Sequence, residues 1–95
     1  MATATFNGRV IAESDDIEIV EGNPYFPISS IDPDVLVDSD HHTVCPWKGT
    51  ASYWSILVDG ERIENAAWYY PVPKDGASVV EGRVAFHGNK VQVDA

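Results

Sequence analysis

Turn-forming pairs punctuate this chain at short intervals, and they limit what it can fold into more than any other feature. Asn7-Gly8, Asp59-Gly60 and Gly88-Asn89 supply residues that tolerate positive φ, as the tight connections of β-hairpins require. Residues 3–6 and 9–13 flank the first pair, with Ala4, Phe6, Val10 and Ala12 along one side. The longest strand-like run is 50–58. Its two sets of alternating side chains, Trp54/Ile56/Val58 and Ala51/Tyr53/Leu57, are both largely apolar, which places it centrally in a sheet. Residues 83–87 and 90–94 form a last hairpin around Gly88-Asn89, with Val84, Phe86, Val91 and Val93 toward the core. The expected fold class is mainly β: a single small rolled antiparallel sheet or barrel with one or two short helical turns.

The remaining segments fill this frame. Ser14-Asp15-Asp16 is a loop, and 17–21 is a third strand on which Ile17, Ile19 and Glu21 share a face. If that face is the core face, Glu21 points inward at the strand's end. Gly22-Asn23-Pro24 breaks the strand, and Tyr25-Phe26-Pro27 follows as an apolar knot. Asp32-Pro33-Asp34 is a helix start, with Asp32 as N-cap and Pro33 as first helical residue. Residues 38–43 are polar enough to be read as a loop. Residues 61–64 and 66–70 are two short segments, the second ended by Pro71 and Pro73. Residues 78–81 make a helical turn closed by Gly82.

With 95 residues, the chain has the length of one domain, 1–95. Folding at this size hides about 64% of the unfolded surface, enough for one core. Fifteen acidic against six basic side chains give a net charge of −9, which opposes binding to a nucleic-acid backbone or an anionic membrane. No apolar run is long enough to span a bilayer, and Met1 to Phe6 lacks the basic and apolar regions of a secretory leader. The single cysteine forms no internal disulfide and excludes a multi-cysteine zinc site. A reducing, cytoplasmic setting follows, with no cofactor, no nucleic-acid partner and a monomer or homodimer as the expected state.

The densest unusual stretch is Thr43-Val44-Cys45-Pro46-Trp47-Lys48-Gly49. A thiol and an amine stand three residues apart on a backbone shaped by proline and glycine, and a nearby ammonium favours the reactive thiolate. Lys48 is the only base between Arg9 and Arg62, so it is either an anion-recognising group or the partner of an inward Glu21. An inward carboxylate is costly unless paired, which predicts that Glu21 and Lys48 lie together. Asp38, Asp40, His41 and His42 carry metal-ligand chemistry, but neighbouring residues rarely converge on one ion, so no metal site is assigned. His87 is read as a hairpin residue.

Three blocks resemble a known small bacterial family. They are Val20-Glu21-Gly22-Asn23-Pro24-Tyr25-Phe26-Pro27; Ser39 with Thr43-Val44-Cys45-Pro46-Trp47-Lys48-Gly49-Thr50-Ala51-Ser52-Tyr53; and Ala66-Ala67-Trp68-Tyr69-Tyr70-Pro71 with Gly82-Arg83-Val84-Ala85-Phe86. The family is catalogued as domain of unknown function 427 and sometimes labelled nucleotidyltransferase-like. The resemblance implies a compact, β-rich, cytoplasmic domain, and its pattern covers Glu21, Tyr25, Cys45, Lys48, Gly49, Tyr53, Trp68 and Tyr70. Nucleotidyl transfer itself needs a Gly-Ser turn opening a helix and paired strand carboxylates for Mg²⁺. Asp32 and Asp34 have the spacing, but Pro33 between them suits a helix start and no glycine-rich phosphate loop is present.

Two functions fit these residues. One is a small-molecule-binding or catalytic pocket, with Glu21, Cys45 and Lys48 as candidate catalytic groups and Tyr25, Tyr53, Trp68 and Tyr70 as candidate ligand contacts. The other is a non-catalytic binding or scaffold module in which the same motifs fix turns and core packing.

Overall fold

A computed structural model describes all residues, 1–95. The strands are β1 (Ala2–Phe6), β2 (Arg9–Ser14), β3 (Glu18–Val20), β4 (Asn23–Pro27), β5 (Leu36–Cys45), β6 (Gly49–Val58), β7 (Glu61–Tyr69), β8 (Arg83–Phe86) and β9 (Gln92–Asp94). Every pairing is antiparallel. Three strands form one sheet, in the order β2-β1-β9, and six form the other, β3-β4-β8-β7-β6-β5. An isolated antiparallel bridge pairs Ala12 of β2 with Ile31. Helical structure is limited to 3₁₀ turns at Ile28–Ser30, Pro33–Val35 and Asp75–Val80. The mainly β expectation therefore holds. No helix is long and apolar enough to cross a membrane.

The turn chemistry explains the hairpins that form. Asn7 and Gly8 (φ 50° and 80°) connect β1 to β2, and Asp59 and Gly60 (φ 51° and 81°) connect β6 to β7. Both pairs sit in the left-handed region that such connections need. Asp32 caps the second 3₁₀ turn as expected, its side chain accepting from the Asp34 N–H at 3.0 Å.

The large sheet is buried on both faces, and this organises everything else. Side chains alternate along a strand, so cross-strand partners share a face. Trp54, Ala67 and Phe86 are register partners, as are Tyr69, Val84 and Phe26. This first face packs on the three-stranded sheet through Ala2, Ala4, Ile11, Ala12 and Val91, forming the main core. Phe26 and Phe86 meet edge to face at 5.6 Å. The second face carries the register partners Tyr53, Trp68 and Ala85. With Tyr25, Ala51 and Tyr70 it packs on Ala77 and Val80 of the last 3₁₀ turn. The accessible surface of 5151 Å² lies slightly below the roughly 5,400 Å² expected for this mass.

Four local expectations are corrected. Residues 38–43 are not a loop but part of β5, where His42, Thr43 and Val44 pair with Ser52, Ala51 and Thr50. Their polarity reflects an edge strand, whose outer side meets water. The last hairpin does not form. Neither Gly88 nor Asn89 takes positive φ, and the strands part, β8 inserting between β4 and β7 while β9 pairs with β1. Residues 61–64 and 66–70 are one strand, β7, interrupted at Asn65 (φ 51°) where the register slips. The isoleucine face of residues 17–21 is not a core face along its length: Ile17, just before β3, packs on the main core, but Ile19 is 57% exposed, and Val20 is the β3 residue that packs against the second cluster. Glu21 has already left the strand, at φ 54°.

Gly49 holds the β5–β6 connection against the 71–74 loop. Its φ is 116°, and a Cβ there would stand 3.2 Å from the Val72 carbonyl oxygen. Gly49→Ala is expected to cost about 1–3 kcal/mol through backbone strain. Urea titration checks it, and a loss below about 0.5 kcal/mol would show that the loop yields freely.

Candidate functional site

Lys48 sits in the turn between β5 and β6, whose base is closed by the Cys45–Gly49 pair. The 71–74 loop clamps this turn: the Lys74 N–H donates to the Lys48 carbonyl at 2.9 Å and its ammonium to the Pro46 carbonyl at 2.6 Å. Held this way, the Lys48 side chain turns inward and is only 6% exposed. Its Nζ donates to Glu21 Oε1 and lies 5.3 Å and 5.4 Å from the ring centroids of Trp47 and Tyr70, close enough for cation–π attraction. The pairing expected from the sequence is present, with one difference. The lysine is the buried member, whereas the glutamate is about half exposed, at 52%.

The electrostatics follow from that asymmetry. The hydrogen bond from Lys48 holds the Glu21 carboxyl below its ordinary value, against a smaller effect of desolvation. Burial works against the Lys48 ammonium, but the Glu21 hydrogen bond and the nearby Tyr25 and Tyr70 oxygens outweigh it and raise its pKa. Burial pushes the Tyr70 phenol up. Both members of the pair therefore keep their charges more firmly than in water.

Cys45 is half-buried at the end of β5 and packs against the Tyr25, Ala51, Tyr70, Ala77, Val80 and Ala85 cluster. Tyr25 is fully buried, and its hydroxyl accepts from the Trp68 indole N–H at 3.1 Å; the two rings meet edge to face at 6.3 Å. Tyr53 and Thr43 share a hydroxyl–hydroxyl hydrogen bond of 2.9 Å. All the candidates chosen from the sequence thus gather on the second face of the large sheet and on the two turns, β3–β4 and β5–β6, that Glu21 and Lys48 bring together. They do not open a cavity there. Of the clefts in the surface, one is lined by Tyr70 and none by Glu21, Cys45 or Lys48.

Histidines extend this face beyond the candidates. His41 lies 4.6 Å from the Tyr53 ring, and His87 lies 4.7 Å from Trp68 and nearly parallel to Tyr53 at 6.3 Å. Burial, with a smaller effect of Lys90, holds His87 below the ordinary imidazole value. A signal for His87 existed in the sequence, because alternation from Ala85 carries it onto the Trp68 side. The false hairpin concealed it. His42 faces the other way, toward the Ser52 hydroxyl at 3.2 Å, so alternation divides the two adjacent histidines. The Asp32 carboxylate is occupied structurally, accepting from Arg9 Nη2 at 2.6 Å as well as from Asp34 N–H.

The family model of domain of unknown function DUF427 matches residues 1–95. The chain belongs to the DUF427 family. No curated protein matches it. In this DUF427 chain the three resembling blocks fall on the parts that make the site. The first forms the Glu21 turn and β4, the second the Lys48 turn with β5 and β6, and the third β7 and β8.

Proposed function

We propose that this DUF427 chain is a non-catalytic binding module in which Glu21 and Lys48 latch two turns together and recognition falls to the aromatic end of the second face. The observation that carries this reading is the state of the pair. Lys48 is buried against Glu21, and each partner's pKa moves away from neutrality. A general acid or base works best with a pKa near the operating pH, so neither group is suited to proton transfer there. Tyr53, Trp68, His41 and His87 form a partly exposed row of rings, and flat rings present large contact area at low entropic cost.

Alkylation of Cys45 tests the proposal. The native thiol is expected to react with iodoacetamide much more slowly than the unfolded chain does, at a rate indifferent to Lys48→Met. Cys45→Ser is expected to cost about 1–2 kcal/mol, because the hydroxyl enters a largely apolar cluster. Rapid native labelling that slows in Lys48→Met, together with a stability loss below about 1 kcal/mol, would instead identify a thiol activated by the ammonium. That outcome would restore Glu21, Cys45 and Lys48 as catalytic candidates.

A further inference from the structure

A second ring-sized site lies at the end of the large sheet, where β7 runs into the 71–74 loop and β8 begins. A cleft of about 210 Å³ opens there, with Ile28, Trp54, Tyr69, Tyr70, Pro71 and Arg83 among its walls. A closed cavity of about 150 Å³ already accepts benzene when its walls are apolar, so this space suits one ring with a small head group.

The walls narrow the chemistry further. Trp54 and Tyr69 stack at 5.4 Å with planes 21° apart, presenting a continuous aromatic surface. No carboxylate lines the cleft, although the chain carries fifteen; its only charged lining residue is Arg83. That guanidinium donates through Nη1 to the Asp16 and Tyr25 carbonyls at 2.8 Å and 3.5 Å, and through Nη2 to Asp16 Oδ1 at 2.9 Å. A guanidinium carries five N–H donors, so two remain unspent. The indole N–H of Trp54 is also buried without a hydrogen-bond partner. That N–H has no surface open to the cleft, so it reports on the ring's surroundings and is not itself a ligand contact.

We infer that this cleft binds a monocyclic aromatic carboxylate. The ring lies along Trp54 and Tyr69, and the carboxylate accepts from the free N–H groups of Arg83, a charge-assisted contact for which the planar guanidinium is suited. The site does not depend on the binding face proposed above, and its failure would leave that proposal standing.

Benzoate, its neutral isostere benzamide and the cation benzylammonium are the probes, titrated into ¹⁵N-labelled protein to about 10 mM, a range suited to ligands of this size. The expected result is saturable benzoate shifts at the Trp54 indole N–H and the Arg83 Nε–H, with benzamide about tenfold weaker and no shift from benzylammonium. Arg83→Met is expected to abolish the preference for benzoate over benzamide. Because Arg83 also tethers Asp16, Asp16→Asn serves as a second variant, and it is expected to keep or tighten benzoate binding by releasing the guanidinium. Three outcomes would each overturn the inference: no saturable shift at Trp54, equal response to benzylammonium, or benzoate shifts confined to Tyr53 and Trp68.

Discussion

Phe26→Ala is expected to remove about 3–5 kcal/mol of folding free energy, the largest effect of any single truncation in this chain. Phe26 is fully buried, pairs with Val84 across β4 and β8, and meets Phe86 edge to face at 5.6 Å. It stands where the two sheets share their core, so the surrounding strands cannot close over the void without breaking register. A domain of this kind has about 5–15 kcal/mol of stability in total, and the variant would sit near the edge of folding. Urea unfolding followed by far-ultraviolet circular dichroism measures it. A loss under about 1.5 kcal/mol would mean that the core repacks, contrary to the close interlocking of β4 and β8.

The second large effect is an asymmetry between the two halves of the latch. Glu21→Gln is expected to lower the unfolding midpoint more than Lys48→Met does. Removing the carboxylate strands a buried ammonium, whereas removing the ammonium leaves a half-exposed carboxylate that water can solvate. Lys48→Met also preserves most of the side-chain volume among Trp47 and Tyr70, so its cost should stay within about 1.5 kcal/mol. Thermal unfolding of both variants at neutral pH decides the order, and a greater loss from Lys48→Met would show that the cation–π contacts outweigh the pair.

The pH dependence of the wild type follows from the same groups. Glu21 has a depressed folded pKa, so its contribution is present above its ordinary value of 4.5 and is lost as pH falls through the folded value. Lys48 has a raised folded pKa, so its contribution is complete below its ordinary value of 10.5 and is lost only above it. His87 is depressed, so its contribution begins to fade as pH drops below 6.5. Stability should therefore be flat from about pH 7 to 9, with the acid-side decline beginning at His87 and the alkaline decline at Tyr70, whose raised folded pKa lets the unfolded phenol lose its proton first near 10.0. In His87→Phe that decline should start nearer pH 4.5, where Glu21 begins to be protonated. An unchanged acid limb would assign it to other groups.

Much of this architecture is written locally. Asn7-Gly8 and Asp59-Gly60 adopt the left-handed φ values their turns demand, and Asp32 caps its 3₁₀ turn. The alternation along β6 already divides Trp54, Ile56 and Val58 from Ala51 and Tyr53. The meeting of Glu21 with Lys48 was legible only from the side of the isolated lysine, because Glu21 does not point inward from the isoleucine face but meets Lys48 from a half-exposed turn.

What the chain could not reveal by itself depends on which strands become neighbours. Gly88-Asn89 reverses the chain, but only tertiary packing sends β8 between β4 and β7 and β9 to β1. Polar residues 38–43 look like a loop because local composition cannot distinguish solvent at a strand edge from solvent around a coil. The burial of Lys48 rather than Glu21 was decided by the 71–74 loop, which grips the Lys48 turn through Lys74 and turns its side chain inward. Local residues carry the β class, the turns that form and the isolation of Lys48 from other bases. Tertiary structure alone decided the strand neighbours, the face His87 joins and the member of the ion pair that loses its water. Backbone pairing and burial are set by residues distant along the chain, and local propensity carries no record of them.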